Sequence, residues 1–275
     1  MAKSKRKEYI ASLAHTPIRF SPYAVLKTGL ITSQTVLKIE DYMLICSPYE
    51  LSMQKAILLL ILSEEETRFF RQYRGDTCAL SLTFLKHGSL SPVNIELKSK
   101  ISRIGPVKNR PNLCLIDIDF SEQPAQLIEI LGDYILAHSA LRTYYENFAG
   151  REIVIDEQMA RMLRFNDYME CTFGQTKVNA QLTAISVNSL VFDVPAGTED
   201  VIEGFAFSCK LYFQLYQFTV QGTIQEVEGY GTKSMRVRAS IGFAPELIEI
   251  MDDYFYRLTH AVANGVPSPV GRREL

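Results

Sequence analysis

Between residues 17 and 120 the apolar side chains come in short runs, most of them alternating with polar ones. Thr35–Ile39, Tyr42–Cys46, Gln54–Leu62, Cys78–Phe84 and Val93–Leu97 are rich in Val, Ile, Leu, Tyr and Phe, with Gly, Pro, Asn and Asp between them. Alternation broken by turn residues at this spacing predicts β-strands, and a series of them predicts a small antiparallel barrel or sandwich. The period changes after Pro124, a residue suited to the first turn of a helix because its missing N–H costs nothing there. Leu127, Leu131, Tyr134, His138, Leu141, Tyr145 and Phe148 then fall at steps of four and three on one helical face. Ala149-Gly150 closes that helix, and a connector with a short helix at Asp156–Leu163 follows. A second strand series starts at Asp167, with Leu182–Val194, Phe205–Leu215, Gln217–Val227 and Met235–Ile241 as its clearest members, and a second helix spans Pro245–Ala263.

The two halves repeat each other. Leu127-Ile-Glu-Ile-Leu-Gly-Asp-Tyr134 returns 120 positions later as Leu247-Ile-Glu-Ile-Met-Asp-Asp-Tyr254, with six identities in eight. Each copy is preceded by a strand, a polar turn, a second strand ending in Phe, and a Pro. A period this long exceeds the roughly 20–50 residues of solenoid repeats and predicts two related domains in tandem. The expected fold is mainly β with helices: two small antiparallel β-barrels, each followed by an amphipathic α-helix. The expected segments are a basic tail at 1–16, a first barrel with its long helix at 17–149, a connector at 150–165, a second barrel with its helix at 166–263, and a mobile tail at 264–275.

Composition narrows the chemistry. With 47% hydrophobic and 22% charged residues and a net charge of −2, the chain reads as globular, without the field that favours a nucleic acid polymer or an anionic membrane. A small anionic ligand stays open. The five cysteines stand singly, without a Cys-x-x-Cys, as reduced thiols do, and the longest apolar run, Ala56–Leu62, is far short of the ~20 residues of a membrane span. No apolar stretch follows Lys3, Lys5, Arg6 and Lys7 as a secretory signal requires, so a cytoplasmic protein is expected.

A small barrel whose last strand ends in Ile241-Gly-Phe243, followed by Pro245 and an amphipathic helix, resembles the bacterial PilZ domain over Arg161 to about Leu258. The N-terminal half resembles the PilZ-like barrel that precedes a PilZ domain in some two-barrel proteins. The resemblance implies a receptor for cyclic di-GMP whose signature is RxxxR at the barrel entrance and [D/N]xSxxG at a strand end. Arginine forks match phosphate oxygens and the guanine edge, and glycine allows close backbone approach. Here Arg164 matches the second arginine, Ala160 replaces the first, and Arg161 is offset by one; Ser186 is kept, Ala184 replaces Asp/Asn and Ser189 replaces Gly. At ~1–3 kcal/mol per bidentate contact, losing two weakens binding by about ten- to ten-thousand-fold. A shifted set using Arg161, Arg164, Ser186 and Asn188 is the alternative; an ion-paired linker and an ordinary polar turn are the plainer reading of the same residues.

The remaining candidates are weaker. Asp117 and Asp119 share a strand face near Glu64–Glu66, an arrangement open to a metal or an acid–base pair, but ion pairing with Arg103 and Lys100 explains it more simply. The four histidines lack ligand spacing, and there is no phosphate loop or nucleophile motif, so no enzyme and no cofactor is expected. The leading expectation is a PilZ-family signalling adaptor that works by protein contacts, its partner unknown and cyclic di-GMP binding weakened or lost. The alternatives are a working cyclic di-GMP receptor, or a structural subunit that forms a homodimer through the Leu127–Phe148 helix face.

Overall fold

Strands that alternate apolar and polar residues hide one face only, so they must curl or stack to cover it. The computed structural model describes residues 2–85, 91–213, 216–229 and 233–263 and resolves the chain into two units, Met1–His138 and Ser139–Leu275. The expected tail at 264–275 lies outside the described residues. The first unit holds α1 (Ala2–Leu13), β1 (Ile18–Arg19), α2 (Pro22–Thr28), β2 (Val36–Ile39), β3 (Tyr42–Ile45), β4 (Ser47–Leu51), β5 (Lys55–Ile61), α3 (Glu64–Phe70), β6 (Thr77–Phe84), β7 (Val93–Val107), β8 (Arg110–Phe120) and the start of α4 (Ala125–Phe148). The second holds the end of α4, β9 (Ile153–Val154), α5 (Glu157–Leu163), β10 (Phe165–Phe173), β11 (Thr176–Ile185), β12 (Ser189–Pro195), β13 (Ala206–Phe213), β14 (Tyr216–Glu228), β15 (Ser234–Ile241) and α6 (Pro245–Ala263).

The second unit is a closed barrel. Its strands run β10-β13-β14-β15-β12-β11-β9, and β10 also pairs with β11, which closes six strands on themselves and leaves β9 on the rim. The first unit runs β1-β4-β5-β8-β7-β6-β2-β3. Replacing β10 to β15 by β2, β4, β5, β6, β7 and β8 turns one order into the other, so the two units share one six-strand topology. The first differs by β3, inserted after β2; its β1 beside β4 stands where β9 stands beside β11. Only Cys46 separates β3 from β4, although those strands lie near opposite ends of the sheet. With Cα atoms 3.8 Å apart, one residue joins them only if the sheet curls on itself.

The repeated sequence is repeated burial. Leu127, Ile128, Ile130 and Leu131 are buried in the first core, and Leu247, Ile248, Ile250 and Met251 occupy the same places in the second. Gly132, where the second copy has Asp252, marks the divergence. A Cβ at Gly132 would stand 2.1 Å from Cδ2 of Tyr9. The buried Tyr9 ring lies on that bare backbone, and its hydroxyl donates to Asp133 Oδ1 at 2.7 Å. The segment expected as a basic tail therefore holds the helix α1, whose Tyr9 packs among apolar neighbours distant in sequence.

Three further expectations change. Leu182–Val194 is two strands, because Ser186-Val187-Asn188 folds the chain back between β11 and β12; Val93–Leu97 is the start of a longer strand, β7. The face of α4 considered for a second copy is engaged within the chain: Leu127 and Leu131 are buried in the first core, while Leu141, Tyr145 and Phe148 pack against the second. Tyr145 meets Phe243 edge-on at 5.6 Å, and Phe148 lies 5.3 Å from Phe255. The stripe considered for a homodimer is therefore buried at its start and partly buried at its end within the chain.

Gly132→Ala is expected to lower stability by about 1–3 kcal/mol in urea denaturation, despite the better helix propensity of alanine, because the added methyl overpacks the Tyr9 contact. In a Tyr9→Ala background the same substitution is expected to cost far less, as a double-mutant cycle will read. The five cysteines are free and buried, and burial pushes the Cys46 and Cys78 thiols up to about 12. A thiol reagent at neutral pH is expected to leave the native protein unmodified and to titrate all five after denaturation.

Candidate functional site

The residues singled out from the sequence fall on two neighbouring stretches of the second unit. After α4, Gly150 takes φ +80°, the left-handed turn that ends many helices. The chain then forms β9, which pairs with the end of β11 through Ile153 opposite Ile185 and Val154 opposite Ala184, and Ile155 N–H donates to the Thr183 carbonyl at 2.8 Å. Asp156 caps α5 by accepting from Met159 N–H at 2.7 Å. This matches the short helix expected in the connector.

On α5 the first arginine position of the signature is filled by buried Ala160. Arg161 points to solvent and pairs with Glu157 one turn earlier. An exposed pair of this kind contributes little to stability. Arg164 ends the helix at φ 58°, ψ 32°, a left-handed conformation that costs a non-glycine residue roughly 1–2 kcal/mol. Its exposed guanidinium makes no ion pair among the described residues.

The β11–β12 turn is built around one hydroxyl. Ser186 is fully buried, and its Oγ accepts from Ser189 N–H at 2.9 Å and Asn188 N–H at 3.2 Å. It donates to Asn188 Oδ1 at 2.8 Å and lies 2.8 Å from Ser189 Oγ. Asn188 Oδ1 also accepts from Gly150 N–H at 2.9 Å, tying the turn to the end of α4. Ser189 Oγ donates to Glu152 Oε1 at 3.3 Å, and the same oxygen accepts from Arg238 Nη1. Short polar side chains thus satisfy the backbone of a tight turn, as Ser and Asn commonly do.

Ser186 and Asn188 are brought together, but no hydrogen bond or ion pair joins either of them to Arg161 or Arg164 among the described residues. Ala184 is buried between Val154 and Val191 and offers no polar group where the signature has Asp or Asn. The arginines that do border the turn's barrel face are neutralised: Arg238 by Glu152, and Arg236 by a two-pronged contact with Asp193 at 2.9 and 3.1 Å. Glu152 and Ser189 were not recognised as turn partners in the sequence. Ser189 lay within the signature, but Glu152 reaches the turn only because β9 pairs with β11.

The other candidates resolve into structural roles. Asp117 and Arg103 are cross-strand partners with Nε 3.0 Å from Oδ2, and Lys100 stands opposite Asp119. Glu64–Glu66 opens α3, where Ser63 Oγ accepts from Glu66 N–H at 3.2 Å and the Glu66 carboxylate accepts from Ser63 N–H at 2.7 Å. That reciprocal cap holds the Glu66 carboxyl below its ordinary range. Among the described residues no three His, Cys, Asp or Glu side chains group as metal ligands, and no helix is long and apolar enough to cross a membrane.

Ser186→Ala is expected to destabilise the protein by about 1–3 kcal/mol in urea denaturation, since two partly buried N–H groups lose their acceptor.

Residues 4–138 match the PilZN3 domain model. No curated protein matches the chain. Among solved structures, it is similar to PlzA of Borreliella burgdorferi in complex with c-di-GMP, at 14% identity over 93% of this chain and 100% of that one, with a TM-score of 0.45. It is also similar to YcgR of Escherichia coli in complex with c-di-GMP, at 10% identity over 90% and 94% of the two chains, TM-score 0.30. MrkH of K. pneumonia, as its c-di-GMP complex, aligns at 7% identity over 91% and 99%, TM-score 0.33. The domain match makes residues 4–138 a PilZN3 domain, and the second unit repeats the six-strand order of the first.

Proposed function

We propose that this protein is a cytoplasmic PilZ-family signalling adaptor that acts through protein contacts, not chemistry, and in which cyclic di-GMP binding is weakened or lost. The observation that carries this reading is the internal use of the signature residues. Ser186 Oγ and Asn188 Oδ1 are engaged within their own turn and with Gly150, while Ala160 and Ala184 place buried methyl groups where a guanidinium and a carboxylate or amide belong. A nucleotide docking here would have to compete with Glu152 for Arg238.

One observation favours a second reading, a receptor that uses Arg161, Arg164, Ser186 and Asn188 as a shifted set. Arg164 holds a strained left-handed backbone and an exposed guanidinium with no ion pair among the described residues. Strain of this kind gathers at ligand clamps. In that reading the nucleotide orders the α5 region and selects one of two states of the protein.

Calorimetric titration with cyclic di-GMP at moderate salt, on the chain and on Arg164→Ala, separates the two. The adaptor reading expects no saturable heat up to about several hundred micromolar. Saturable binding tighter than about 10 μM, lost in Arg164→Ala, would overturn it in favour of the shifted receptor. The combined Ala160→Arg, Ala184→Asp and Ser189→Gly variant, if folded by circular dichroism, is expected to gain at least about tenfold in affinity.

A further inference from the structure

In the first unit, away from the residues discussed above, a cleft of about 490 Å³ opens between α3 with the turn after it and the β7–β8 hairpin. Its walls carry Arg68, Arg71, Lys108 and Arg110 against a single carboxylate, Glu64. Four cations and one anion leave three positive charges in one cleft of a chain whose net charge is −2. None of the four cations makes an ion pair among the described residues.

The fold brings these charges together by two independent devices. Arg68 and Arg71 lie three residues apart, so they share a face where α3 ends. Lys108 and Arg110 are presented by a tight hairpin in which Val107 opposes Arg110 and Asn109 takes φ +60°. Favourable contact with the end of the helix dipole accounts for two of the cations. It does not account for Lys108 and Arg110, whose approach adds repulsion that a bound anion relieves. The lining charges are side chains, Ser63 Oγ takes the Glu66 N–H at the start of α3, and Leu62 and Leu113 are the cleft's apolar floor.

We propose that this cleft binds a small phosphate-bearing anion, of the size of pyrophosphate or a nucleoside diphosphate. Arginine forks and a lysine head are the groups that take phosphate oxygens, and the volume falls in the range of small-ligand pockets. A bounded cleft in a net acidic chain suits a compact anion better than a polymer, which needs a long basic track.

The test is a calorimetric titration of the full chain with inorganic pyrophosphate at low salt, followed by ADP. Saturable 1:1 binding is expected, weakened about tenfold or more for each arginine removed in Arg68→Ala and Arg110→Ala, and unchanged in Lys38→Ala, an exposed cation of β2 outside the cleft. Tighter binding of ADP than of pyrophosphate would identify a nucleotide site, and the reverse a site for the phosphates alone; both support the proposal. All four cations are exposed, so the variants are expected to fold, as circular dichroism will check, with Lys108→Ala as a substitute for either. Absence of saturable binding, or equal binding in the arginine variants, overturns the proposal. So does a single-stranded oligonucleotide that binds more tightly than either probe and loses affinity in the same variants, which would make the cleft part of a polymer surface. Neither result bears on the cyclic di-GMP reading, which concerns the other unit.

Discussion

A six-stranded antiparallel sheet that curls on itself carries more apolar surface than its own strands hide, and in each unit the helix after the last strand covers the remainder. Burying four aliphatic side chains contributes roughly 1.5–3 kcal/mol apiece, against a total stability of about 5–15 kcal/mol for a domain. The face written Leu-Ile-x-Ile followed by Leu or Met is therefore the contact on which each barrel depends. It explains why eight residues at the start of α4 and α6 stay so alike while most strands between them have diverged.

Where the copies differ, a packing partner differs. Gly132 yields its side chain to Tyr9, which brings α1 onto the first core; Asp252 in the second copy has no such need. The first sheet accepts β3 at the seam where β10 and β11 close the second. An added strand at a barrel's seam leaves the order of the other six unchanged, so the core tolerates it.

Hydrogen-bond economy separates the two candidate surfaces. At the β11–β12 turn almost every polar atom has a partner within the chain, and the nearby arginines face carboxylates. In the cleft beside α3 four cations are collected against one carboxylate. A folded chain holds like charges together only at a cost, so uncompensated charge is the more informative of the two patterns.

Much of this was legible in the sequence because it depends on local period and on identity between the copies. Alternation gave β2, β6, β8 and β15, the four-three spacing gave α4, Pro245 gave the start of α6, and the repeat gave two domains of one kind. Ser63-Glu-Glu-Glu66 and Ser21-Pro22 also carried helix-start signals that went unread, since acidic runs invite a metal before they suggest a cap. Tertiary structure alone decided the rest. Whether Arg161 faces solvent, that Asn188 holds Gly150, that Glu152 meets Arg238, and that Lys108 and Arg110 stand across from Arg68 and Arg71 follow from strand register and from elements far apart in the chain. Periodicity fixes which way a side chain leaves its own strand or helix, but long-range pairing decides what it meets.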